Sequence, residues 1–462
     1  MPLSSFSDFP LRPELQVNLA SLGFKSPTAV QQLTLEPALA GRDLIARAKT
    51  GSGKTLAFGL GLLNKLDVKR FRVQALVLCP TRELADQVAN ELRKLARQLP
   101  NVKILTLCGG QPMGPQIGSL EHGAHIIVGT PGRIDDHVRK GRLALNNVET
   151  LVLDEADRML DMGFRDVLDE LISLTPQSRQ SLLFSATYPD GVADIAKRYL
   201  SNMLSLEVES ESNNTNIEQR FYQISHGSDR FDAVMRLLHE LRPSSAILFC
   251  HTKKEVAECA ELLCEQDVEA LPLQGDMDQR DRDRTLIRFA NHSATILVAT
   301  DVAARGLDID NVDLVINYQL SRDAEVHVHR VGRTGRGEEK GVACTIFTER
   351  EQYKLEELNR IRGQEAEMWE LPHVSVLDEP LAKPSMHTLQ LDGGKKQKIR
   401  PGDIVGALCG DKTLSVDDLG KIKIEPMSSF VAVKRKQAKK ALERLKNGKI
   451  KGRQLKARLL RR

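Results

Sequence analysis

The sequence lacks the features that mark membrane, secreted and zinc-binding proteins. It contains no apolar run near the roughly 18 residues that a membrane-spanning helix needs. Its first residues carry neither the basic nor the apolar segment of a signal peptide. The seven cysteines form no Cys-x-x-Cys pair, and an odd number does not suit a disulfide framework. We therefore expect a protein of the reducing cytoplasm, without a zinc site or a membrane anchor.

Aromatic residues are scarce, at 4% with a single tryptophan. The net charge is modest, at +4, but the charged residues are unevenly distributed along the chain. Residues 381–462 hold 22 Lys and Arg against 7 Asp and Glu, whereas the first 380 residues hold 44 against 55. An acidic body joined to a strongly basic C-terminal piece is typical of a protein that binds a polyanion. The alternative is a basic segment that is merely solvated.

Short apolar runs alternate with helical patterns along most of the chain. The runs are residues 75–79, 103–107, 125–128, 150–153 and 181–184, then 246–250, 269–273, 294–298, 313–316 and 342–347. Apolar strands that alternate with helices predict parallel sheets covered on both faces, an α/β fold. A polar stretch at 209–216 and a proline-containing stretch at 371–384 separate these parts. The predicted domains are residues 1–208, 217–370 and 385–462.

A glycine-rich segment at 48–55, Ala-Lys-Thr-Gly-Ser-Gly-Lys-Thr, fits a P-loop with alanine in place of the first glycine. The glycines let backbone amides turn toward phosphate oxygens at the start of the helical run 56–66. Lys54 can then reach the β- and γ-phosphates, and the Thr55 hydroxyl can bind Mg2+. A glycine-rich turn without a ligand is the alternative. The residues predicted to surround the phosphates are Thr50, Gly51, Ser52, Gly53, Lys54 and Thr55.

Two acidic residues follow the apolar run 150–153 and complete the prediction of a nucleotide site. Asp154, which leaves the strand, suits Mg2+, and Glu155 suits the deprotonation of an attacking water. Alone, such a pair is more often a helix N-cap. Together with the P-loop it predicts a Mg2+-dependent nucleoside triphosphatase.

The basic C-terminal region has its own order of elements. Strand, helix, strand, strand, helix and strand are predicted at residues 386–391, 404–408, 419–424, 429–433, 437–445 and 454–460. This βαββαβ order is that of an RNA recognition motif (RRM), a small α+β domain. In its last strand, alternation would turn Lys456 and Arg458 away from the core.

The stacking residues of an ordinary RRM are absent from this region. Phe430 is the only aromatic residue after Trp369, and a core position suits it equally well. The basic residues instead predict a large contribution from phosphate contacts. Those singled out for RNA binding are Lys434, Arg435, Lys451 and Arg453. We therefore expect this domain to recognise a folded RNA hairpin by shape and hydrogen bonds.

The four residues Asp154-Glu-Ala-Asp157 match the signature of the DEAD-box RNA helicases, a family that the chain resembles over residues 6–350. The resemblance implies two tandem RecA-like parallel-sheet domains ahead of the RRM-like domain. It also implies an RNA-stimulated ATPase that uses ATP and Mg2+.

The stretch 23–31, Gly-Phe-Lys-Ser-Pro-Thr-Ala-Val-Gln, resembles the Q-motif of the same family. The resemblance implies that Gln31 reads the adenine edge, that Lys25 belongs to the nucleotide site and that Phe6 stacks on the base. Phe9 is a competing candidate for stacking, and a core position is the alternative for Phe6.

Further motifs follow in the order of the family. In the first domain the residues implied to contact RNA are Thr81, Arg82, Gly109, Gly110, Thr130, Gly132 and Arg133. Hydroxyls, an arginine and amides at helix starts bind phosphate oxygens without reading sequence. In the second domain the implied contacts are Gln279, Arg282 and Thr300. Ser185 and Thr187 resemble the segment that couples hydrolysis to strand separation, with strand-end capping as the alternative.

The stretch 329–336, His-Arg-Val-Gly-Arg-Thr-Gly-Arg, resembles the arginine-finger motif. It implies that Arg333 and Arg336 stabilise charge on the γ-phosphoryl group, with Gly306 and Asp308 also at the nucleotide. The second domain has no P-loop of its own, so the resemblance implies an ATP site that forms when the two domains close. We expect closure to bend one RNA strand and to part a short duplex locally.

The stretch 392–402, residues 406–408 and the last two dozen residues closely resemble one bacterial subfamily of these helicases. Its members dock on a hairpin of 23S rRNA near the peptidyl-transferase region and act in assembly of the 50S subunit. The resemblance implies the same partner here, with the basic domain as a tether. We expect a monomer, since no coiled-coil heptads are present. The alternatives are an RNA chaperone whose nucleotide site is only a clamp, and a general mRNA helicase with a non-specific basic tail.

Overall fold

The computed structural model describes residues 5–48, 52–207, 216–304, 309, 311–321, 323–335, 340–410 and 414–460. These residues form two sheets of seven strands and one of four. Within these ranges no helix combines the length and the apolar character that crossing a membrane requires. Internal contacts divide the chain into two compact units. The first unit contains the first sheet, and the second unit contains the other two sheets together.

The first sheet is built from short, buried apolar strands. They are β1 Leu44–Arg47, β2 Ala75–Leu78, β3 Ile104–Leu107, β4 Ile126–Gly129, β5 Thr150–Asp154, β6 Gln180–Ser185 and β7 Leu204–Glu207. All are parallel, in the order β3-β4-β2-β5-β6-β1-β7. Leu76 and Leu78 lie in one buried cluster and Val77 in another, so both faces of the sheet are covered.

Nine helices of the described chain pack on this sheet or lead into it. They are α1 Pro13–Ser21, α2 Ala29–Leu39, α3 Lys54–Lys65, α4 Arg82–Leu95, α5 Met113–Glu121, α6 Pro131–Arg139, α7 Ala156–Asp161, α8 Arg165–Ser173 and α9 Asp190–Tyr199. Most of them start directly after a strand, so their N-termini gather at the carboxyl edge of the sheet, where phosphate groups bind most readily.

The second sheet repeats this topology. Its strands are β8 Ile217–Ile224, β9 Ala246–Cys250, β10 Ala270–Leu273, β11 Ile296–Thr300, β12 Leu314–Asn317, β13 Gly341–Thr348 and β14 Met368–Trp369. They are parallel in the order β10-β11-β9-β12-β13-β8-β14, which matches the first sheet strand for strand. Its helices are α10 Arg230–Leu241, α11 Lys253–Glu265, α12 Gln279–Ala290, α13 Asp301–Ala304, α14 Ala324–Val331 and α15 Gln352–Arg362. The prediction of two tandem RecA-like domains is confirmed.

The third sheet is antiparallel. Its elements are β15 Met386–Leu391, α16 Pro401–Cys409, β16 Leu419–Ile424, β17 Ser429–Lys434, α17 Ala438–Asn447 and β18 Ala457–Leu459. The strand order is β16-β17-β15-β18, and the helices cover one face. Leu389, Leu391, Val431 and Val433 form the core of that face with Leu408. The predicted βαββαβ domain is confirmed, and Lys456 and Arg458 are exposed as the alternation requires.

The other face of the third sheet is also covered, because it lies against the second domain. Thr388 and Phe430 point away from the domain's own helices, yet they are 0% and 4% exposed. Thr388 Oγ1 accepts a hydrogen bond from Asn291 Nδ2 at 3.1 Å and lies 2.7 Å from Ser293 Oγ. The Met386 amide donates to the His292 carbonyl oxygen at 3.3 Å. Phe430 is thus buried as considered for it, but on the face of the sheet opposite the domain's own core.

The stretch 371–384, predicted as a linker, lies along α10 as an ordered strap. Leu371, Leu377 and Leu381 pack against the core of the second sheet. His239 Nδ1 lies 2.9 Å from the Glu379 carbonyl oxygen. The strap therefore adds to the contact that joins the C-terminal domain to the second domain. The linker predicted at 209–216 lies outside the described residues except for its last position.

Candidate active site and nucleic-acid interface

The P-loop residues lie where β1 ends and α3 begins. Gly53 precedes the helix with a φ of 95°, in the left-handed region that glycine adopts without strain. Lys54 opens the helix with a buried side chain, and Ser52 and Thr55 beside it are half-buried. Thr50 and Gly51 lie outside the described residues. The strand–turn–helix context that a P-loop requires is present.

Gln31 holds this turn from α2. Its Nε2 donates to the Gly53 carbonyl oxygen at 3.1 Å, and its Oε1 accepts from the Thr28 amide at 2.9 Å. The Thr28 hydroxyl donates to the Ser52 carbonyl oxygen at 2.8 Å. A Cβ added at Gly53 would lie only 2.4 Å from Gln31 Nε2. Gln31 therefore positions the P-loop backbone, and its contact with an adenine stays a prediction.

Asp154 ends β5 close to the P-loop lysine. Lys54 Nζ and Asp154 Oδ1 are 3.9 Å apart, and both are buried. Neither atom has a hydrogen-bond partner among the described residues. Burial raises the pKa of Asp154 to about 6, and the charge of Lys54 opposes that rise. Two buried, unsatisfied and oppositely charged groups fit a phosphate oxygen on the lysine and Mg2+ on the carboxylate.

Glu155 follows in a left-handed backbone conformation, with φ 55° and ψ 53°. Such a conformation is uncommon for a residue with a side chain and is concentrated at functional sites. Its buried carboxylate accepts a hydrogen bond from Arg158 Nη1 at 3.0 Å. In the described chain this side chain makes no capping hydrogen bond to α7. The alternative of a helix-capping role for the acidic pair therefore has no support at Glu155.

The aromatic residues predicted to stack on adenine belong to the core of the first domain. Phe6 and Phe9 are 4% and 1% exposed, with ring centroids 6.5 Å apart. Phe24 is 37% exposed, and its ring meets that of Phe6 edge-on at 6.4 Å. Lys25 is exposed beside it. The core position considered for Phe6 is observed, and its stacking on a base stays a prediction.

Asp157 connects the start of α7 to the end of β6. Its Oδ2 accepts from the Thr187 amide at 2.9 Å and from the Thr187 hydroxyl at 2.8 Å. Its own amide donates to Ser185 Oγ at 3.2 Å. Burial acts to raise the pKa of Asp157, but hydrogen bonds from Thr187 and Ser185 outweigh burial and lower the pKa. Ser185 and Thr187 thus contact the carboxylate segment, as a coupling role requires.

The residues predicted to hold RNA in the first domain gather at one edge of the sheet. Thr81, Gly109 and Thr130 follow β2, β3 and β4, which are neighbours. The Gly109 amide donates to Thr130 Oγ1 at 3.4 Å. Arg133 Nη1 donates to the Gln111 carbonyl oxygen at 3.0 Å. These amides and hydroxyls lie at helix starts, where a sugar–phosphate backbone can bind without base contacts.

The remaining predicted contacts of this domain lie in the same loops. Arg82 opens α4 and is 3.8 Å from Asp86. Gly110 has a φ of 69°, a left-handed turn that suits glycine. A Cβ added at Gly109 or Gly132 would meet no described atom within 4 Å, so the backbone there is open to a ligand.

In the second domain, Gln279 and Arg282 lie in the first turn of α12. Gln279 Nε2 donates to Asp283 Oδ1 at 2.9 Å, and Arg282 Nη2 donates to the Ala303 carbonyl oxygen at 2.7 Å. Thr300 ends β11, and its hydroxyl accepts from the Ala303 amide at 3.3 Å. The three predicted RNA contacts are therefore close together, at the carboxyl edge of the second sheet.

Of the two predicted arginine fingers, only Arg333 falls within the described residues. It is buried, just after α14, and its amide donates to the Arg330 carbonyl oxygen at 3.1 Å. Arg330 donates from Nε and Nη2 to the two carboxylate oxygens of Asp301, at 2.5 and 2.7 Å. This bidentate pair, in which the arginine is buried and the aspartate partly exposed, fixes the finger segment to the end of β11. The predicted residues outside the described part are Gly306, Asp308 and Arg336.

The basic residues singled out in the C-terminal domain are spread over two places. Lys434 is 3.4 Å from Asp418, and Arg435 is 3.8 Å from Glu269 of the second domain. Lys451 Nζ donates to the Lys398 carbonyl oxygen at 2.6 Å. Arg453 is exposed in the same turn as Lys451. Arg435 therefore takes part in the contact with the second domain, and RNA binding by these four residues stays a prediction.

A cavity of about 610 Å3 opens beside this turn. Its lining residues are Asp392, Lys446, Gln454, Leu455, Lys456, Ala457 and Arg458. Three of its side chains are basic, and Arg458 Nη2 donates to Gln390 Oε1 at 3.1 Å. The alternation of residues in β18 predicts from the sequence that Lys456 and Arg458 point outward. That Lys446 of α17 lies beside them is not visible in the sequence. The three basic side chains of this cavity suit a phosphate or a base edge.

Family models match this chain over three segments. DEAD/DEAH box helicase matches residues 28–195, and Helicase conserved C-terminal domain matches residues 229–338. DbpA RNA binding domain matches residues 388–459.

Similar proteins cover the chain to different extents. ATP-dependent RNA helicase DbpA of Escherichia coli (strain K12) is 50% identical over 459 residues, which are 99% of this chain and 100% of that protein. DEAD-box ATP-dependent RNA helicase CshA of Bacillus cereus (strain ATCC 10987 / NRS 248) is 42% identical over 379 residues, 82% of this chain and 71% of its own length. The solved structure of S. cerevisiae Dbp5 bound to RNA and ADP BeF3 is similar with a TM-score of 0.71 and 30% identity, covering 82% of this chain and 100% of that one.

Proposed function

The chain belongs to the DEAD-box family of ATP-dependent RNA helicases, and from this premise we propose that it acts in assembly of the 50S ribosomal subunit. In this proposal the protein docks on a hairpin of 23S rRNA and unwinds nearby RNA, in the cytoplasm. The observation that carries this proposal is the C-terminal domain, since residues 388–459 match the DbpA RNA binding domain. The identity to E. coli DbpA spans that domain, whereas the similarity to CshA covers 82% of the chain.

In the proposed ATP site, Lys54 binds the β- and γ-phosphates, and Asp154 and Thr55 hold Mg2+. Mg2+ held by these two residues would supply positive charge against the negative charge that develops on the phosphoryl group during transfer. Glu155 takes the proton from the attacking water. The unsatisfied Lys54 Nζ and Asp154 Oδ1 support these assignments, because each is buried without a hydrogen-bond partner among the described residues.

The second domain contributes Arg333 and Arg336 to the same reaction in this proposal. A guanidinium near the γ-phosphoryl oxygens stabilises the transition state by charge and by its rigid donors. Because the P-loop and the arginines belong to different domains, turnover depends on closure around ATP. The anchoring of Arg330 to Asp301 supports a rigid finger segment.

RNA contacts in both helicase domains are proposed to be with the backbone, so the core has little sequence preference. Selection of the substrate then falls to the C-terminal domain. Its sheet face cannot stack bases while it lies against the second domain with Phe430 buried. The cavity lined by Lys446, Lys456 and Arg458 is the proposed docking place for the hairpin.

The proposal is tested by RNA-stimulated ATP turnover with a 23S rRNA fragment that contains the hairpin, compared with a fragment of the same length that lacks it. Deletion of residues 386–462, which leaves the strap in place, should abolish the preference while basal turnover remains. Equal stimulation by both fragments would instead favour a general RNA helicase with a non-specific basic tail. RNA binding without turnover would favour a clamp-like chaperone.

Point variants locate the docking surface. Replacing Lys456 and Arg458 with alanine should weaken hairpin binding by at least about tenfold, because two phosphate or base contacts are lost. Lys421→Ala is the matched control, since it removes an exposed lysine from β16 at the opposite edge of the same sheet. A larger effect from Lys421→Ala would place the hairpin elsewhere.

A further inference from the structure

Arg158 is a buried arginine in the first domain that the proposed reaction does not use. It lies on α7, three residues after Glu155, and its Nη1 is 3.0 Å from Glu155 Oε2. Their side chains are 6% and 4% exposed. The contact therefore joins the proposed base to a fixed cation in a region from which water is largely excluded.

The local backbone makes the orientation of Glu155 depend on such a contact. Glu155 is in the left-handed region and precedes a helix of only six residues. A glutamate has three side-chain torsions, and fixing them needs contacts that outweigh the lost rotamer entropy. An arginine provides rigid donors in a planar fork, so its bond to a carboxylate fixes direction as well as distance.

The backbone of Arg158 is in turn bonded to the neighbouring aspartate. Its amide donates to Asp157 Oδ1 at 3.0 Å, and Asp157 Oδ2 accepts both hydrogen bonds from Thr187. Hydrogen bonds thus link Thr187 through Asp157 to the backbone of Arg158, whose guanidinium binds Glu155. The segment predicted to couple hydrolysis to strand separation is in this way connected to the orientation of the base.

We propose that Arg158 is a positioning residue for ATP hydrolysis, which acts by holding the Glu155 carboxylate in the orientation that receives the proton of the attacking water. This inference rests on the proposed role of Glu155. Arg158 does not contact ATP in this account. Its loss should therefore lower kcat and leave the binding of ATP and RNA nearly unchanged.

Steady-state ATP turnover with saturating RNA tests the inference. Arg158→Gln should lower kcat by about 10- to 100-fold, since small misplacements of a reacting group cost this much. The KM for ATP, and RNA affinity with a non-hydrolysable ATP analogue, should stay within about twofold. Arg165→Gln is the control for loss of an arginine, because Arg165, on α8 of the same domain, forms an exposed pair with an aspartate at the same 3.0 Å distance. Its kcat should equal that of the native protein.

A double-mutant cycle separates positioning from a general effect on folding. If Arg158 acts through Glu155, adding Arg158→Gln to Glu155→Gln should lower the residual rate by no more than about twofold. An equal loss in both backgrounds, or a native kcat for Arg158→Gln, overturns the inference. A Glu155→Gln protein that keeps a near-native kcat overturns the proposed base itself, whatever Arg158 does.

Arg158→Lys keeps the buried charge and covers the case in which Arg158→Gln does not fold. Because lysine lacks the planar fork, its kcat should lie between those of the native protein and Arg158→Gln. A folded Arg158→Lys protein with native kcat would show that Arg158 supports only the fold.

Discussion

The hydrogen-bond cluster that joins the C-terminal domain to the second helicase domain leads to a quantitative prediction. Thr388 Oγ1 lies 3.1 Å from Asn291 Nδ2 and 2.7 Å from Ser293 Oγ, and all three residues are buried. Thr388→Val keeps the size of the side chain and removes its hydroxyl. Two buried polar groups then lose a partner, at about 1–3 kcal/mol each, so docking should weaken by about 2–6 kcal/mol.

The proposed hairpin surface is on other elements, so the Kd for the hairpin should stay within about twofold in Thr388→Val. The hairpin-stimulated kcat should fall toward the value with unrelated RNA, because the bound hairpin no longer has a fixed position relative to the core. Interdomain fluorescence transfer between the second and C-terminal domains reports the undocking directly. Thr388→Ser, which retains the hydroxyl, is the control. Native docking and native stimulation in Thr388→Val would show that this hydrogen-bond cluster does not hold the C-terminal domain in place.

Three further predictions concern pH, coupling and salt. Because the pKa of Asp154 is raised to about 6, protons compete with Mg2+ for its carboxylate near that pH. With an ATP analogue bound, the affinity for Mg2+ should therefore fall as the pH drops from 7.5 through about 6. Isothermal titration calorimetry measures this affinity, and a constant value would contradict the prediction. In Asp157→Asn the side chain accepts the two hydrogen bonds from Thr187 more weakly. The number of duplexes unwound per ATP hydrolysed should therefore fall by a larger factor than the rate of ATP turnover. A fall by the same factor in both would argue against a coupling role for Thr187. Hairpin affinity should decrease with salt at a log–log slope steeper than about −2, and a nearly flat response would exclude phosphate contacts as its main source.

The central strands of both parallel sheets could be predicted from the sequence to within about two residues. The run 75–79 became β2, Ala75–Leu78, and the run 246–250 became β9 without change. These strands are buried on both faces, so every position is apolar and the run is unmistakable. The βαββαβ order of the C-terminal domain was predictable for a related reason, since each strand has one apolar face.

The strands at one edge of each parallel sheet, the edge opposite β3 and β10, could not be predicted in the same way. β7, Leu204–Glu207, and β14, Met368–Trp369, are partly or fully exposed, so they show no apolar run. β8 lies next to the edge and carries polar residues at several positions. Strands of this kind are specified by pairing with a neighbour, which depends on residues far away in the chain.

The residues of the site divide in the same way, into those that a local sequence pattern predicts and those whose contacts depend on packing. The P-loop and Asp154 could be located because strand, turn and helix follow one another in sequence. The 3.0 Å contact of Arg158 with Glu155 and the burial of Thr388 could not, because rotamers and domain packing decide them. Thr388 is polar yet fully buried, which a hydrophobic pattern alone would not predict.

A crystal structure with a non-hydrolysable ATP analogue, Mg2+ and an RNA that contains the hairpin tests most directly whether the ATP site is shared by both helicase domains. We expect Lys54 Nζ and the Arg333 and Arg336 guanidiniums all to lie within about 3 Å of phosphate oxygens, from opposite sides of the nucleotide. Arginine side chains turned away from the γ-phosphoryl group in that complex would contradict a shared site.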